Sequence, residues 1–395
     1  MNIVNIVTVK EKIKLYKDNE KANNIELILF EENGFEVVSQ KDLYQVGDNA
    51  VYIQPDYCLS DIPLFEGFIR PNGDESKSML GKVGGLPRRI RAKKFNFHRG
   101  DGNAVYSNGI LLPYDEVYNY LEVQGCQPTY KDISHLDLTK QLGITKYEEP
   151  ETNSGAGVKG GSSIKFPDGV IKTDEENFNN LIHHIEKILP KRLILTTKID
   201  GSSITLWCKD GKKGIASRNQ GKPLFTTRIT GRRTKTFLEK LLFWTKPDLN
   251  LYEEVLNDSD FVKHGVKYLN ILESYCKKNN CNIVAQGEIY GQNMKGSGNK
   301  NNPHSKLPVD LAFFNICKYE NQSIRLGQKE FLRITKEIGL PKVHIIIDRV
   351  FTSIEDIKQE CEKYFKDNLI EGIVIRDENH NFSTKYMNNI YDSKK

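Results

Sequence analysis

Residues 193–219 read LILTTKIDGSSITLWCKDGKKGIASRN. The opening run LILTTK is rich in residues that favour a strand. A second apolar run and a third flank Asp210-Gly211, and Asp-Gly between such runs marks a tight hairpin. Lys198 closes the first run and is followed by Ile199-Asp200-Gly201. A protonated lysine is a poor nucleophile; desolvation or a neighbouring cation is needed to free its amine. Once neutral, that amine can attack the α-phosphate of a nucleoside triphosphate. Asp200, two residues on, points from the same side of an extended chain and is placed to hold a metal or its hydration shell.

Outward from this stretch, the pattern mixes strands and helices without regular βαβ alternation, which favours an α+β fold. A helix is expected from Thr173 to Leu189, with Thr173 and Glu176 as a capping box and Pro190 as its stop. Downstream, 258–279 reads as a helix, NIVAQGEIYG and LAFFNICKY as strands, and 328–338 as a helix ending at Gly339. KVHIIID follows as a strand, then a helix from Ser353 and Asp356 to about Phe365, then LIEGIVIR as a strand. Residues 1 to about 120 read as short strands (IELILF, FEVVSQ, NAVYIQP), with short helical stretches only around 10–20 and 114–121. That pattern predicts a small β-barrel of the OB type. The Gly/Ser-rich segment 151–163 reads as a flexible connection. The expected division is 1–130 for the OB-fold domain and 131–395 for the domain that carries Lys198, with the boundary region at 122–142.

The 395 residues carry a net charge of +5 and 38% hydrophobic residues, enough for two compact cores. A mild basic surplus is compatible with a polyanionic partner without identifying one. Charge interrupts the first twenty residues, and no run approaches membrane-spanning length, so neither a signal peptide nor a membrane anchor is expected. Seven cysteines without CxxC pairs argue against a disulfide framework or a zinc site and for a reducing intracellular compartment, cytoplasmic or nuclear. From Lys82 to Arg99 there are seven Lys/Arg residues and no acid, with Phe95 and Phe97 interleaved. Such clustering suits a phosphate backbone. Arg88, Arg89, Arg91, Lys93 and Lys94 are the expected RNA contacts, and the two phenylalanines are expected to pack in the core.

Lys198-Ile199-Asp200-Gly201 is a weak signal alone, since four residues with three fixed recur by accident. Five further segments lie in order behind it: Ser217-Arg218-Asn219, Gln286 to Gly291 (QGEIYG), Leu311 to Ile316 (LAFFNI), Glu371 to Arg376 (EGIVIR) and Ser383-Thr384-Lys385. Together the six resemble the motifs of the covalent nucleotidyltransferase superfamily of polynucleotide ligases and mRNA capping enzymes. The resemblance implies an AMP carried covalently on Lys198 and a ribose contact from Arg218. It also implies Glu288 in the nucleotide and metal pocket, Phe314 stacked on adenine, and Lys385 on the α-phosphate. Asp200, Gly201, Glu288 and Glu371 complete the nucleotide site, with Asp200, Glu288 and Glu371 orienting Mg2+ or Mn2+.

Only ten residues follow Lys385, so the extra domain is expected before the catalytic one rather than after it. That order resembles the ATP-dependent RNA ligases of the Deinococcus and Naegleria type. RIRAKK (89–94) with SNGILLP (107–113), LGITKYE (142–148), and the segment from Phe166-Pro167 through Lys172-Thr173-Asp174-Glu175-Glu176 are similar to the same family. The implied architecture is an OB-like barrel followed by a nucleotidyltransferase domain of the ATP-grasp-like, DNA-ligase type, with antiparallel sheets flanked by helices. The implied activity is ATP-dependent sealing of 3′-hydroxyl and 5′-phosphate RNA ends at nicks in RNA or RNA/DNA duplexes, by a monomer. Two positions depart from the family pattern: Ser383 and Asn177 stand where a basic residue is common. Competing readings are a GTP-dependent capping guanylyltransferase, a DNA ligase, and a noncatalytic RNA-binding protein with a degenerate ligase domain.

Overall fold

The computed structural model describes residues 4–18, 20–101, 104–129, 131–147, 164–234, 236, 250–294 and 299–393. Segment 151–163 and Glu148 therefore lie outside the described residues. Val4–Lys17 forms one long strand pairing with Glu20–Phe30 on one side and Asn49–Ile53 on the other. The short helical stretch expected around 10–20 is thus overturned. Val9 and Leu15 are buried between exposed and half-buried positions, and a chain with that alternation gains more from a sheet ladder than from an isolated helical turn. Glu36–Gln40 continues the meander, while Ala92–His98 returns to the end of the first strand and pairs with Ala104–Asn108. Val38 N donates to Ser107 Oγ at 3.0 Å across the remaining seam. These six strands form an OB-like barrel whose seam is bridged by a side chain rather than a ladder. Val7, Val9, Ile28, Phe30, Val37 and Tyr52 fill one part of it. The helix Tyr114–Val123 forms where its short helical period predicts, burying Val117 and Leu121. Leu138, Leu142 and Ile144 pack into the same N-terminal core.

The rest of the chain builds two larger, mainly antiparallel sheets and a two-stranded ribbon of Phe225–Arg232 with Asn250–Leu256. In the first, Lys191–Lys198 lies between Gly372–Asp377 and Ile345–Phe351, and Ser383–Met387 pairs with the far side of Gly372–Asp377. The strand expected from KVHIIID starts three residues late, because the residues before it bridge to the other sheet: Phe313 N donates to Pro341 O at 2.9 Å and Val343 N to Phe313 O at 3.0 Å. In the second sheet, Ser202–Lys209 pairs with Lys212–Ala216 and with Ile283–Tyr290, which pairs with Asp310–Tyr319. Asp210 and Gly211 take φ of 49° and 74°, the turn that Asp-Gly favours. The helix Asp260–Asn279 covers the back of this sheet, and the helix Gln328–Ile338 ends at Gly339 with φ 69°. Ser353 accepts from Asp356 N at the start of Ile354–Asp367.

The expected helix from Thr173 is corrected. Glu176–Asn177 joins the sheet beside Thr384 and Lys385, Asn177 caps a short 3-10 turn, and the α-helix runs only over Ile182–Ile188. Thr173 instead meets Ser203 Oγ at 3.0 Å, so the capping box never forms. The apolar face was read correctly, since Phe178, Ile182 and Ile185 are buried. No helix among the described residues is long and apolar enough to cross a membrane.

Behind the sheet edge, His380 is 3% exposed and its Nε2 lies 2.9 Å from Gln328 Oε1. Burial, with the nearby Arg376 and Arg325, lowers its pKa to about 4. The unfolded chain, with an ordinary histidine near 6.5, therefore takes up the proton first as pH falls. Stability is full above about pH 6.5 and is lost down to about pH 4, on the order of 3 kcal/mol. Urea titrations between pH 7 and 4.5 are expected to show this loss in the wild type and a shallower one in His380→Gln.

Candidate active site

Register places the site. Lys198 stands opposite Gly372, Thr196 opposite Val374 and Ile194 opposite Arg376; Met387, Lys385 and Ser383 continue these rows. Directly paired residues share a face, so Lys198, Lys385, Arg376 and Ser383 project from one side of the sheet. Leu193, Leu195, Ile373 and Ile375 fill the core on the other. In the second sheet Ile204, Leu206, Ile289 and Phe313 bury against the helix Asp260–Asn279, which leaves Ser203 and Glu288, paired with each other, on the opposite face.

Phe314 reaches that face through a bulge. Gly287 pairs with Phe313 and Gln286 with Asn315, so Phe314 is the extra residue. A bulge re-aims one side chain. Phe313 consequently packs edge-on to Tyr268 in the core, while Phe314 stays half-buried with the Arg376 guanidinium 5.4 Å from its ring.

Lys198 Nζ is ion-paired with Glu371. Burial by itself pulls the lysine pKa down, but Glu371, with Glu288 and Asp200 behind it, outweighs burial and holds it above its ordinary value. Asp200 Oδ2 accepts the Tyr391 hydroxyl at 2.6 Å. Gly201 is required by close approach, because a Cβ there would meet Ile289 O at 2.5 Å and Glu288 Cγ at 2.9 Å. For Lys385, burial and repulsion from Lys198 lower the pKa. Arg218 pairs with Asp174 at 3.0 Å, and Lys146 pairs with the same carboxylate. The structure thus brings Lys198, Asp200, Gly201, Glu288, Glu371 and Lys385 into one neighbourhood. Phe314 lies on the facing sheet and Arg218 at the Asp174 edge.

The expected metal set, Asp200, Glu288 and Glu371, offers only carboxylate oxygens, which suits a hard divalent cation. Among the described residues no three His, Cys, Asp or Glu side chains are gathered as a ready-made cage.

The basic run does not form one solvent-facing patch. Arg88 pairs with Asp61 at 3.4 Å. Arg89 pairs with Asp56 at 2.7 Å and lies 4.0 Å over the Tyr147 ring. Arg91 is half-buried, and Lys93 and Lys94 are exposed. Phe97 packs beside Leu15 and Val105, as expected of a core ring. Arg89 and Arg91 line a cavity of about 160 Å³ with Asp56, Lys146, Asp174 and Lys385. Burial alone would raise the Asp56 pKa, yet Arg89, helped by Lys385 and Lys198, brings it below its usual value.

Sequence reading did not single out Asp56, Lys146, Asp174 or Tyr391 as site residues. Lys146 and Asp174 lay in segments that resemble the family, and that resemblance is the signal that could have found them; their pairing is visible only in the structure. Asp56 and Tyr391 carried none.

Two antiparallel sheets converging on a lysine that opens a Lys-x-Asp-Gly turn define the nucleotidyltransferase class. Residues 191–387 match the model of the RNA ligase family. The whole chain has the fold of Naegleria gruberi RNA ligase. The structure with PPi matches at 23% identity and TM-score 0.67, covering 99% of this chain and 98% of that one. A variant with AMP and Mn matches at 22% and 0.69, covering 100% and 98%. Another variant, with ATP and Mn, matches at 23% and 0.68, covering 99% and 98%. No curated protein sequence matches the chain.

Arg376 is 4% exposed and pairs with Glu175 at 3.0 Å, joining the strand beside Lys198 to the segment before the first helix of this domain. Glu175→Ala would strand a buried guanidinium, and is expected to destabilise by about 3–5 kcal/mol in denaturant unfolding. Replacing both partners with apolar residues should cost less than that single change.

Proposed function

We propose that this chain is an ATP-dependent RNA ligase that seals a 3′-hydroxyl to a 5′-phosphate through a lysyl-AMP on Lys198. The observation that carries this reading is the Lys198 amine, paired to Glu371 with Glu288 and Asp200 acting on the same charge. The Naegleria structures with ATP or AMP and Mn support ATP and a divalent ion as its companions. Residues 1–130 serve as the OB-fold RNA-binding part and 131–395 as the adenylyltransferase. The enzyme acts as a monomer on duplex nicks, RNA or RNA/DNA hybrid. All seven thiols are free, in keeping with a reducing intracellular compartment.

Lys198 attacks the α-phosphorus of ATP, a P–N bond forms, and pyrophosphate leaves. Because Glu371 holds the amine charged, this contact must break before attack. Burial and the repulsion shared with Lys385 then favour the neutral amine. Phe314 offers a ring for adenine, Arg218 a donor for ribose, and Lys385 a cation for the α-phosphate. Mg2+ or Mn2+, held by oxygens of Asp200, Glu288 and Glu371, would supply further positive charge for phosphoryl oxygens. AMP then passes to the RNA 5′-phosphate as a 5′-5′ pyrophosphate, and the 3′-hydroxyl displaces AMP.

Incubation with α-labelled ATP is expected to label the wild type and leave Lys198→Ala blank; label retained by that variant, or wild type labelled by α-labelled GTP in a separate incubation and not by ATP, would refute the reading. The exposed Lys93 and Lys94 are the simplest test of the RNA contact. Charge reversal of both to Glu should weaken sealing of nicked RNA several-fold more at 50 mM than at 200 mM salt, with self-adenylylation intact. Arg89→Glu, facing Asp56 and the cavity at Lys385, is expected to impair both steps.

A further inference from the structure

The C-terminal helix Asn389–Ser393 lies outside every motif that the sequence offers, yet it touches the nucleophile turn. Tyr391 is 0% exposed, and its hydroxyl donates to Asp200 Oδ2 at 2.6 Å. Beside it, Asn302 Nδ2 donates to the Asp200 carbonyl at 3.0 Å, and Asn301 Nδ2 donates to the Tyr391 carbonyl at 3.0 Å. Asn302 is itself 4% exposed. Thus both the side chain and the backbone of Asp200 are held from outside the sheet that carries Lys198, by two segments about 100 and 190 residues further along the chain.

We propose that Tyr391 is a positioning residue for adenylyl transfer, fixing the Asp200 carboxylate beside the Lys198 amine, with Asn302 fixing the backbone of the same turn. This role rests on the ligase reading and deepens it. The physical reason is rotamer control. An aspartate at the mouth of a turn has two χ angles to order, and the Oδ2 that faces Tyr391 cannot turn away without breaking its hydrogen bond to a buried phenol. The other carboxylate oxygen then keeps one fixed direction toward the amine and the nucleotide. Tyr391 touches no reacting atom. Its hydroxyl acts through Asp200, and small misplacement of a catalytic group carries a large rate penalty.

Tyr391→Phe keeps the buried ring and removes only the hydroxyl. Measured by incorporation of α-labelled ATP, its rate constant at saturating ATP is expected to fall about tenfold, as loss of a supporting hydrogen bond does elsewhere. KM for ATP should stay within about twofold, and the thermal midpoint within about 2 °C. Asn302→Ala is the second variant and should show the same split. An unchanged rate in both variants would overturn the proposal. So would a rate loss that follows a lowered thermal midpoint or a raised KM, since that pattern belongs to general loosening. Absence of label on the wild type would instead remove the ligase reading itself, a result distinct from wild-type labelling with unaffected variants.

Discussion

The ion pair between Lys198 and Glu371 joins the ends of two adjacent strands and is the contact on which the site depends. It forms because Lys198 closes its strand opposite Gly372, so the residue just before that glycine sits beside the amine. Burial alone would drive the ammonium toward neutrality; the three carboxylates reverse that preference and keep the amine charged until its contact is broken. A lysine in this setting is protected from casual reaction and is primed by whatever relieves the carboxylates. The same strand pair sends Leu193, Leu195, Ile373 and Ile375 into the opposite core, so the chemistry and the stability of the sheet share one register. A slip by one residue would reverse both.

Around that pair the two sheets meet by different devices. One is a bulge, which separates two adjacent phenylalanines into a core ring and a site ring. Another is the close approach at Gly201, which lets the nucleophile turn lie against Ile289 and Glu288. A third is the buried Arg376–Glu175 pair beneath Phe314. The N-terminal barrel is tied on by polar contacts: Gly34 N donates to Asn179 O at 2.9 Å, and Asn180 Nδ2 donates to Gln54 Oε1 at 2.9 Å. Asp56, Arg89 and Lys146 bring charge from that side to a cavity shared with Lys385. The basic run is therefore divided: Arg89 and Arg91 turn inward, while Lys93 and Lys94 face solvent.

Local patterns were legible where the signal was local. The Asp-Gly hairpin, the helix ending at Gly339, the Ser353 cap and the strands around Gln286 and Phe314 all follow from turn chemistry and alternation. Thr173 misled because a capping box is favourable only if the next residues are free to coil. Here Glu176 and Asn177 gain more by pairing beside Thr384 and Lys385. Residues 10–20 misled for a related reason: a charged, weakly periodic stretch carries no strong preference until its neighbours supply a ladder.

The sequence by itself determined which lysine is proposed as nucleophile, the order of the six motifs, the α+β class and which side chains bear the charge proposed to act at a phosphate. Those properties reside in residue type and short spacing, and they survive without knowledge of the partner strands. Only the tertiary structure decided that Tyr391 and Asn302 hold Asp200, that Asp56 and Arg89 face Lys385, and that Arg88 is engaged by Asp61. Each of these joins segments distant in sequence, and no local periodicity encodes which of many polar side chains a buried group will meet.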